Sequence, residues 1–192
     1  PIGVIESDWG GTPIEAWMDK ASLASFPEVK IPEPNSAVKA EAHRPTCLFN
    51  AMIAPIAGYG IKGFLWYQGE NNASTPTGYD KLMASMVSGW RKLWNSSDAL
   101  SFYYVQIAPY RYPTNRDSIP VLREMQQIAQ SEIPNSGMAV SIDAGNEFTI
   151  HPENKTVISK RLLYWALGDA YHQKGIAYKS PYYQSMEIKN GS

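Results

Sequence analysis

The chain has 192 residues, 44% of them apolar and 18% charged, a composition that fits one globular domain and excludes a disordered segment. Its 17 basic and 18 acidic residues leave a formal net charge of −1. There is therefore no basic field to collect nucleic acid and no polybasic run to hold an anionic membrane. No apolar run approaches the ~18 residues that span a bilayer, the first residues lack a signal-peptide pattern, and lone Cys47 excludes an intrachain disulfide.

Taken in order, residues 2–5 read as a short buried strand that runs into the turn Trp9-Gly10-Gly11-Thr12. Thr12 followed by Pro13 and Glu15 is a helix start, with the helix expected to reach Lys20. Pro27, Pro32, Pro34 and Pro45 mark a surface loop over residues 27–45. Leu48, Met52, Ile53 and Ile56 then recur at helical spacing. A buried strand is expected over residues 61–67, an amphipathic helix over 79–94, a strand over 102–107, a helix over 119–133 and a strand over 138–142. A loop over 144–150 leads to a long helix over 152–171, opened by Pro152. Residues 178–183 are turn-like, and 185–189 read as the beginning of another strand.

Strands alternating with helices imply a parallel sheet covered on both faces. Ligands of such sheets bind beyond the carboxyl ends of the strands. Three loops are expected there: residues 7–12, 68–72 and 143–151. His151 sits in the last of them, where an imidazole, whose ordinary pKa is ~6.5, can accept and return a proton at neutral pH. A capping or core histidine is the bland alternative; the loop position favours the base. His43 and His172 read as surface residues. Gly10-Gly11 lets the backbone approach a ligand with its amide hydrogens toward a developing oxyanion, although a plain tight turn would look the same. Gln68 or Asn71 could donate to that oxyanion, and Glu70 could orient His151 or grip a hydroxyl. The spacing of His and Cys matches no metal site, and no phosphate-binding glycine loop occurs, so neither a metal nor another cofactor is expected. A Gly-x-Ser-x-Gly elbow is missing as well.

The block Ser7-Asp8-Trp9-Gly10-Gly11-Thr12-Pro13-Ile14-Glu15-Ala16-Trp17 resembles the SWGGTPIEAW block of the sialate O-acetylesterases, carbohydrate acetylesterases within the SGNH hydrolase superfamily. Further blocks similar to that family are Leu48-Phe49-Asn50-Ala51-Met52-Ile53-Ala54-Pro55, Trp66-Tyr67-Gln68-Gly69-Glu70-Asn71-Asn72, Gln106-Ile107-Ala108-Pro109-Tyr110 and Ile150-His151-Pro152-Glu153-Asn154-Lys155. The resemblance implies a three-layer α/β/α, flavodoxin-like parallel sheet and serine-type acyl transfer, with His151 as base and no cofactor. It implies an oxyanion hole that draws on Gly10 or Gly11 and on the block Gln68, Gly69, Glu70 and Asn71. The family's Gly-Gln-Ser-Asn block does not occur in this chain, so the nucleophilic serine is expected upstream of Pro1; Ser7 is the alternative within the chain, with Asp8 in the place of the family's usual serine. Asp143, Glu147, Glu70 or a backbone carbonyl would orient His151, since Phe148 stands where many SGNH enzymes carry the acid. Residues 1–175 would then form a partial esterase domain lacking its N-terminal portion, and residues 176–192 a link to a β-rich segment. The implied substrate is an acetylated sialic acid or another acetylated glycan such as xylan or pectin, and the implied location is secreted or periplasmic. A non-catalytic carbohydrate-binding remnant of the same fold is the competing expectation.

Overall fold

In a computed structural model, residues 2–33, 35–38, 40–96, 100–114 and 117–189 are described; Pro1 and Pro34, part of the expectations above, lie outside them. The described residues form a parallel sheet of three strands, β1 (Gly63–Trp66), β2 (Ser101–Val105) and β3 (Ser136–Ala139), in the order β1-β2-β3. Helix α2 (Tyr79–Leu93) connects β1 to β2 and helix α3 (Ser118–Glu132) connects β2 to β3. Helix α4 (Thr156–Trp165) follows β3 and continues as a π-helical turn, Ala166–Ala170.

Side chains on a strand alternate between faces, and β2 shows how two layers of helix are placed. Phe102 and Tyr104 point into the larger core with Trp90 of α2 and Leu122 of α3. Val105 points the other way, into a smaller cluster with Ala139 and Ile158 of α4. All five residues of β2 are buried as a result. This is the three-layer α/β/α arrangement expected from the alternation of elements. Among the described residues the face of β1 opposite α2 carries no such cover, and Leu65 is 64% exposed there.

Four aromatic rings fill the contact between β1, β2 and α2. Trp90 lies 5.5 Å from Trp66 in an edge-on arrangement, 5.2 Å from Phe64 and 6.5 Å from Phe102. Its indole N–H donates to Trp17 O at 2.9 Å, which fastens the N-terminal segment to α2.

Several expected boundaries differ. Residues 2–5 form no strand: Ile2 and Val4 are 78% and 87% exposed, and no ladder partner lies beside them among the described residues. An apolar run becomes a strand only when a neighbour takes up its backbone groups. The helix expected from Thr12 is a single 3-10 turn, Ile14–Trp17, followed by α1 (Lys20–Leu23). Asp19 interrupts it, because its carboxylate accepts from Ala21 N and Ser22 N at 2.9 Å each and starts a new helix. The helical spacing around Met52 becomes a π-helical turn, Phe49–Ile53, and a 3-10 turn, Ala54–Ile56, that contains Pro55. The final long helix opens at Thr156, where Asn154 Oδ1 accepts from Thr156 N at 3.1 Å, and not at Pro152. The last strand is shifted toward the N-terminus and leaves the sheet after Ala139, and residues 185–189 form no strand.

Replacing Trp90 with alanine removes a ring shared by three others and leaves a cavity, so it is expected to cost about 3–5 kcal/mol. Urea unfolding should show the midpoint falling with an unchanged slope; a loss under 1 kcal/mol would show that this core collapses around the gap.

Candidate active site

The turn over residues 9–12 and the loop leaving β1 are joined by one hydrogen-bonded network. Gln68 Nε2 donates to Thr12 O at 2.9 Å and to Asn72 Oδ1 at 2.8 Å, while Gln68 Oε1 accepts from Tyr79 OH at 2.7 Å. Asn72 Oδ1 also accepts from Ile14 N at 3.0 Å, and Asn72 Nδ2 donates to Glu15 Oε2 at 2.9 Å. Asn71 Nδ2 reaches Gly11 O at 2.8 Å. Thr12 Oγ1 donates to Trp9 O at 2.8 Å and accepts from the Trp17 indole at 2.9 Å. Both amide hydrogens of Gln68 are thus taken, so it serves as a strut and has none left for an oxyanion. The Gly10 and Gly11 amide hydrogens meet no acceptor among the described residues, and a Cβ at either position would find no described heavy atom within 4 Å. Among the described residues, both donors of the turn are therefore unspent.

Gly69 makes the next bend with φ +154°, and a Cβ there would stand 2.7 Å from Ile107 Cγ2 and 3.0 Å from Gln126 Nε2. Gln126, fully buried, accepts from Ile107 N at 2.9 Å and donates to Gln68 O at 3.2 Å. The exit of β1 is in this way held against the exit of β2.

His151 is exposed, and its ring makes no hydrogen bond to a described residue; its backbone N–H donates to Thr149 Oγ1 at 3.2 Å and its carbonyl accepts from the same hydroxyl at 3.5 Å. Ile150 packs against the main core and anchors the position. Of the three carboxylates expected to orient His151, two are taken by arginines. Asp143 receives both arms of Arg161, at 2.6 and 2.7 Å, and Glu147 pairs with Arg111 at 3.2 Å. Glu70 is different. Burial pushes its carboxyl above the usual carboxylate range, and the positive fields of Lys155 and His151 oppose that rise. Lys155 itself lies 5.1 Å over the Tyr67 ring. Glu70, His151, Lys155 and Tyr67 therefore share one electrostatic neighbourhood at the mouth of β1. His43 and His172 are exposed and outside it. Ser7 donates to Met52 O at 3.3 Å.

A further loop, after β2, belongs to the same end of the sheet. Arg111 N donates to Glu147 O at 3.1 Å, which ties the loop of His151 to it. Tyr110 and Tyr112 meet edge-on at 4.9 Å, and the Tyr112 phenol is pushed up by burial and then by Glu70. Sequence reading matched residues 106–110 to a family block without assigning them a role; the Pro109-Tyr110 pair at a strand end was the available signal.

The Arg161 pair holds the Asp143 carboxyl down to about 2. A folded-state value below the unfolded ~3.9 means that its contribution is complete above about pH 4 and is lost as the pH falls toward 2. Because Asp143 is 60% exposed, that contribution is discounted to at most about 1 kcal/mol. In Arg161→Gln an NMR titration should find the Asp143 carboxyl returned toward ~3.9; an unmoved midpoint would assign the depression to another cause.

Comparison with known proteins shows the family of the chain. A family model described as carbohydrate esterase, sialic acid-specific acetylesterase, matches residues 1–162. The sialate O-acetylesterase of Rattus norvegicus is 29% identical over 233 residues, which is 98% of this chain and 43% of that protein. That of Homo sapiens is 30% identical over 208 residues, 98% of this chain and 39% of that protein. The chain thus spans about two fifths of the length of these relatives. A crystal structure of a carbohydrate acetylesterase from Xanthomonas citri superposes with a TM-score of 0.79 at 34% identity, covering 91% of this chain and 38% of that one. With the strand-end loops, the glycine turn and the histidine all falling inside the matched residues, the chain belongs to the carbohydrate esterase family of sialic acid-specific acetylesterases.

Proposed function

We propose that the chain contributes to hydrolysis of acetyl esters on a sugar, with His151 as the general base and Glu70 as the residue that positions it. The observation that carries this reading is the pairing of amide donors at Gly10 and Gly11 with an imidazole, all without hydrogen-bond partners among the described residues, in loops at the end of the sheet that also carries the half-buried Glu70 carboxylate. The nucleophile is a serine of the whole protein outside these 192 residues. Its hydroxyl attacks the acetyl carbonyl and gives its proton to His151. The oxyanion that forms accepts from the glycine amides. The sugar leaves with the proton from His151, and a water deprotonated by the same ring then attacks the acetyl-enzyme to release acetate. Glu70 is the acid of choice because Asp143 and Glu147 each already neutralise an arginine.

Two assignments go with this reading. Residues 1–175 belong to the esterase unit, and 176–192, whose described part holds no helix or strand, lead away from it. The acetylated glycans concerned lie mostly outside the cytoplasm, which favours a secreted or periplasmic location.

Acetate release by the full-length protein, from acetylated sialic acid and acetylated xylan, tests the reading. His151→Ala and Glu70→Gln should each lower kcat/KM by roughly 10²–10⁴-fold. A His151→Ala protein that turns over at the parental rate removes this histidine from the reaction.

A further inference from the structure

Four residues after His151 stands a side chain to which the reaction above gives no task. Lys155 occupies the N-cap position of α4. Lysine suits that position poorly: its side chain offers no acceptor to the free amides of the first turn, and its charge opposes the positive end of the helix dipole. The bond to Thr156 N comes instead from Asn154. A residue that breaks a local preference in this way points to a role elsewhere.

The ammonium contact supplies that role. Lys155 Nζ stands over the Tyr67 ring, 5.1 Å from its centroid, and has no carboxylate within ion-pair distance among the described residues. The electron-rich face of the ring attracts a cation at that distance. Tyr67 directly follows β1, one residue before Gln68 and three before Glu70. The contact therefore runs from the segment of the histidine to the strand exit that carries the carboxylate.

The order of the sheet makes such a bridge necessary. β2 lies between β1 and β3, so the two outer exits start about 10 Å apart at ordinary strand spacing. Residues 140–155 are tied to α4 through Arg161 and to the loop after β2 through Arg111. Among the described residues, no hydrogen bond or ion pair joins them to residues 67–72. Lys155 on Tyr67 is the contact that crosses.

Little slack separates that contact from the imidazole. Pro152, buried and with its φ fixed by the ring, follows His151 directly. Lys155 N donates to Glu153 O at 3.1 Å, and Lys155 O accepts from Ser159 N at 2.9 Å. The lysine backbone is thus set by the first turn of α4, and its side chain by the ring. Its charge also works against the rise that burial imposes on the Glu70 carboxyl.

We infer that Lys155 is a positioning residue: by clasping the Tyr67 ring it draws the segment of His151 to the exit of β1 and sets the imidazole against Glu70. The inference rests on the esterase reading above. It gives Lys155 no bond to substrate; the contact acts through His151.

The test measures acetate release by the full-length protein from acetylated sialic acid and acetylated xylan, with kcat and KM taken separately. Lys155→Met keeps the length of the side chain and removes its charge. It should lower kcat by about 3- to 10-fold with KM nearly unchanged, the size expected of one partly exposed cation–π contact. Tyr67→Leu removes the ring and should do the same. The double variant should be no slower than either single one, because both delete one contact. Lys155→Arg and Tyr67→Phe, which keep a cation and a ring, should recover most of the parental kcat. Amide hydrogen exchange over residues 149–155 should quicken by a similar factor in Lys155→Met and not in Lys155→Arg, and this comparison decides the matter if Tyr67→Leu does not fold. Parental kcat in Lys155→Met, or losses that multiply in the double variant, would overturn the positioning role and leave the esterase reading intact. A loss confined to KM would also overturn it and make Lys155 a substrate contact. No acetate from the parental protein on either substrate would defeat the esterase reading, and the positioning role with it.

Discussion

The buried amide of Gln68 is the contact on which the site depends. It lies at the end of β1 and binds a carbonyl of the glycine turn, the side chain of Asn72 and the phenol of Tyr79 at once. Every polar atom of that amide has a partner, so the network can sit in a low-dielectric interior without penalty. Tyr79 is the first residue of α2, and burial pushes its phenol well above the ordinary range, which keeps it a hydrogen-bond donor. One side chain therefore sets the relation between a sheet strand, a helix start and a turn that has no strand of its own among the described residues. The open amides of Gly10 and Gly11 inherit their position from it.

On the opposite side of the site the constraint is ionic. The loop between β3 and α4 is tied near its start by Arg161 to Asp143 and near its middle by Arg111 to Glu147. Arg161 also donates to Val140 O at 2.6 Å, where the chain leaves the sheet. These tethers are individually weak, being exposed, yet they act on a segment with few other attachments, and His151 lies just beyond the second. A rigid amide network on one side thus faces a loop held by solvent-exposed charge on the other.

Much of this was legible in the sequence, and the rest was not for identifiable reasons. Helices α2 and α3 announce themselves because apolar residues recur over four turns, and β2 because five consecutive residues suit burial on both faces. Residues 2–5 have the same apolar character, but strand formation is a property of pairs, and nothing in a single run says whether a neighbour is present. Gln68 was legible as a polar residue at a strand end and illegible as a strut, since its three partners come from positions 12, 72 and 79. Glu70 could not be told from Asp143 and Glu147 until the arginines were placed.

The glycine at position 69 has a consequence for how such a site can vary. Its missing side chain is what allows the exit of β1 to touch Ile107 and Gln126, so the root of the loop after β2 is geared to the backbone that carries Glu70. Changes at that root would be felt at the carboxylate beside the histidine. The tip of the same loop, at Tyr110 and Arg111, is free of that gearing. Remodelling for a new sugar therefore has a natural address at the Tyr110 ring of the tip, so long as the backbone bond from Arg111 to Glu147 that steadies the histidine loop is kept.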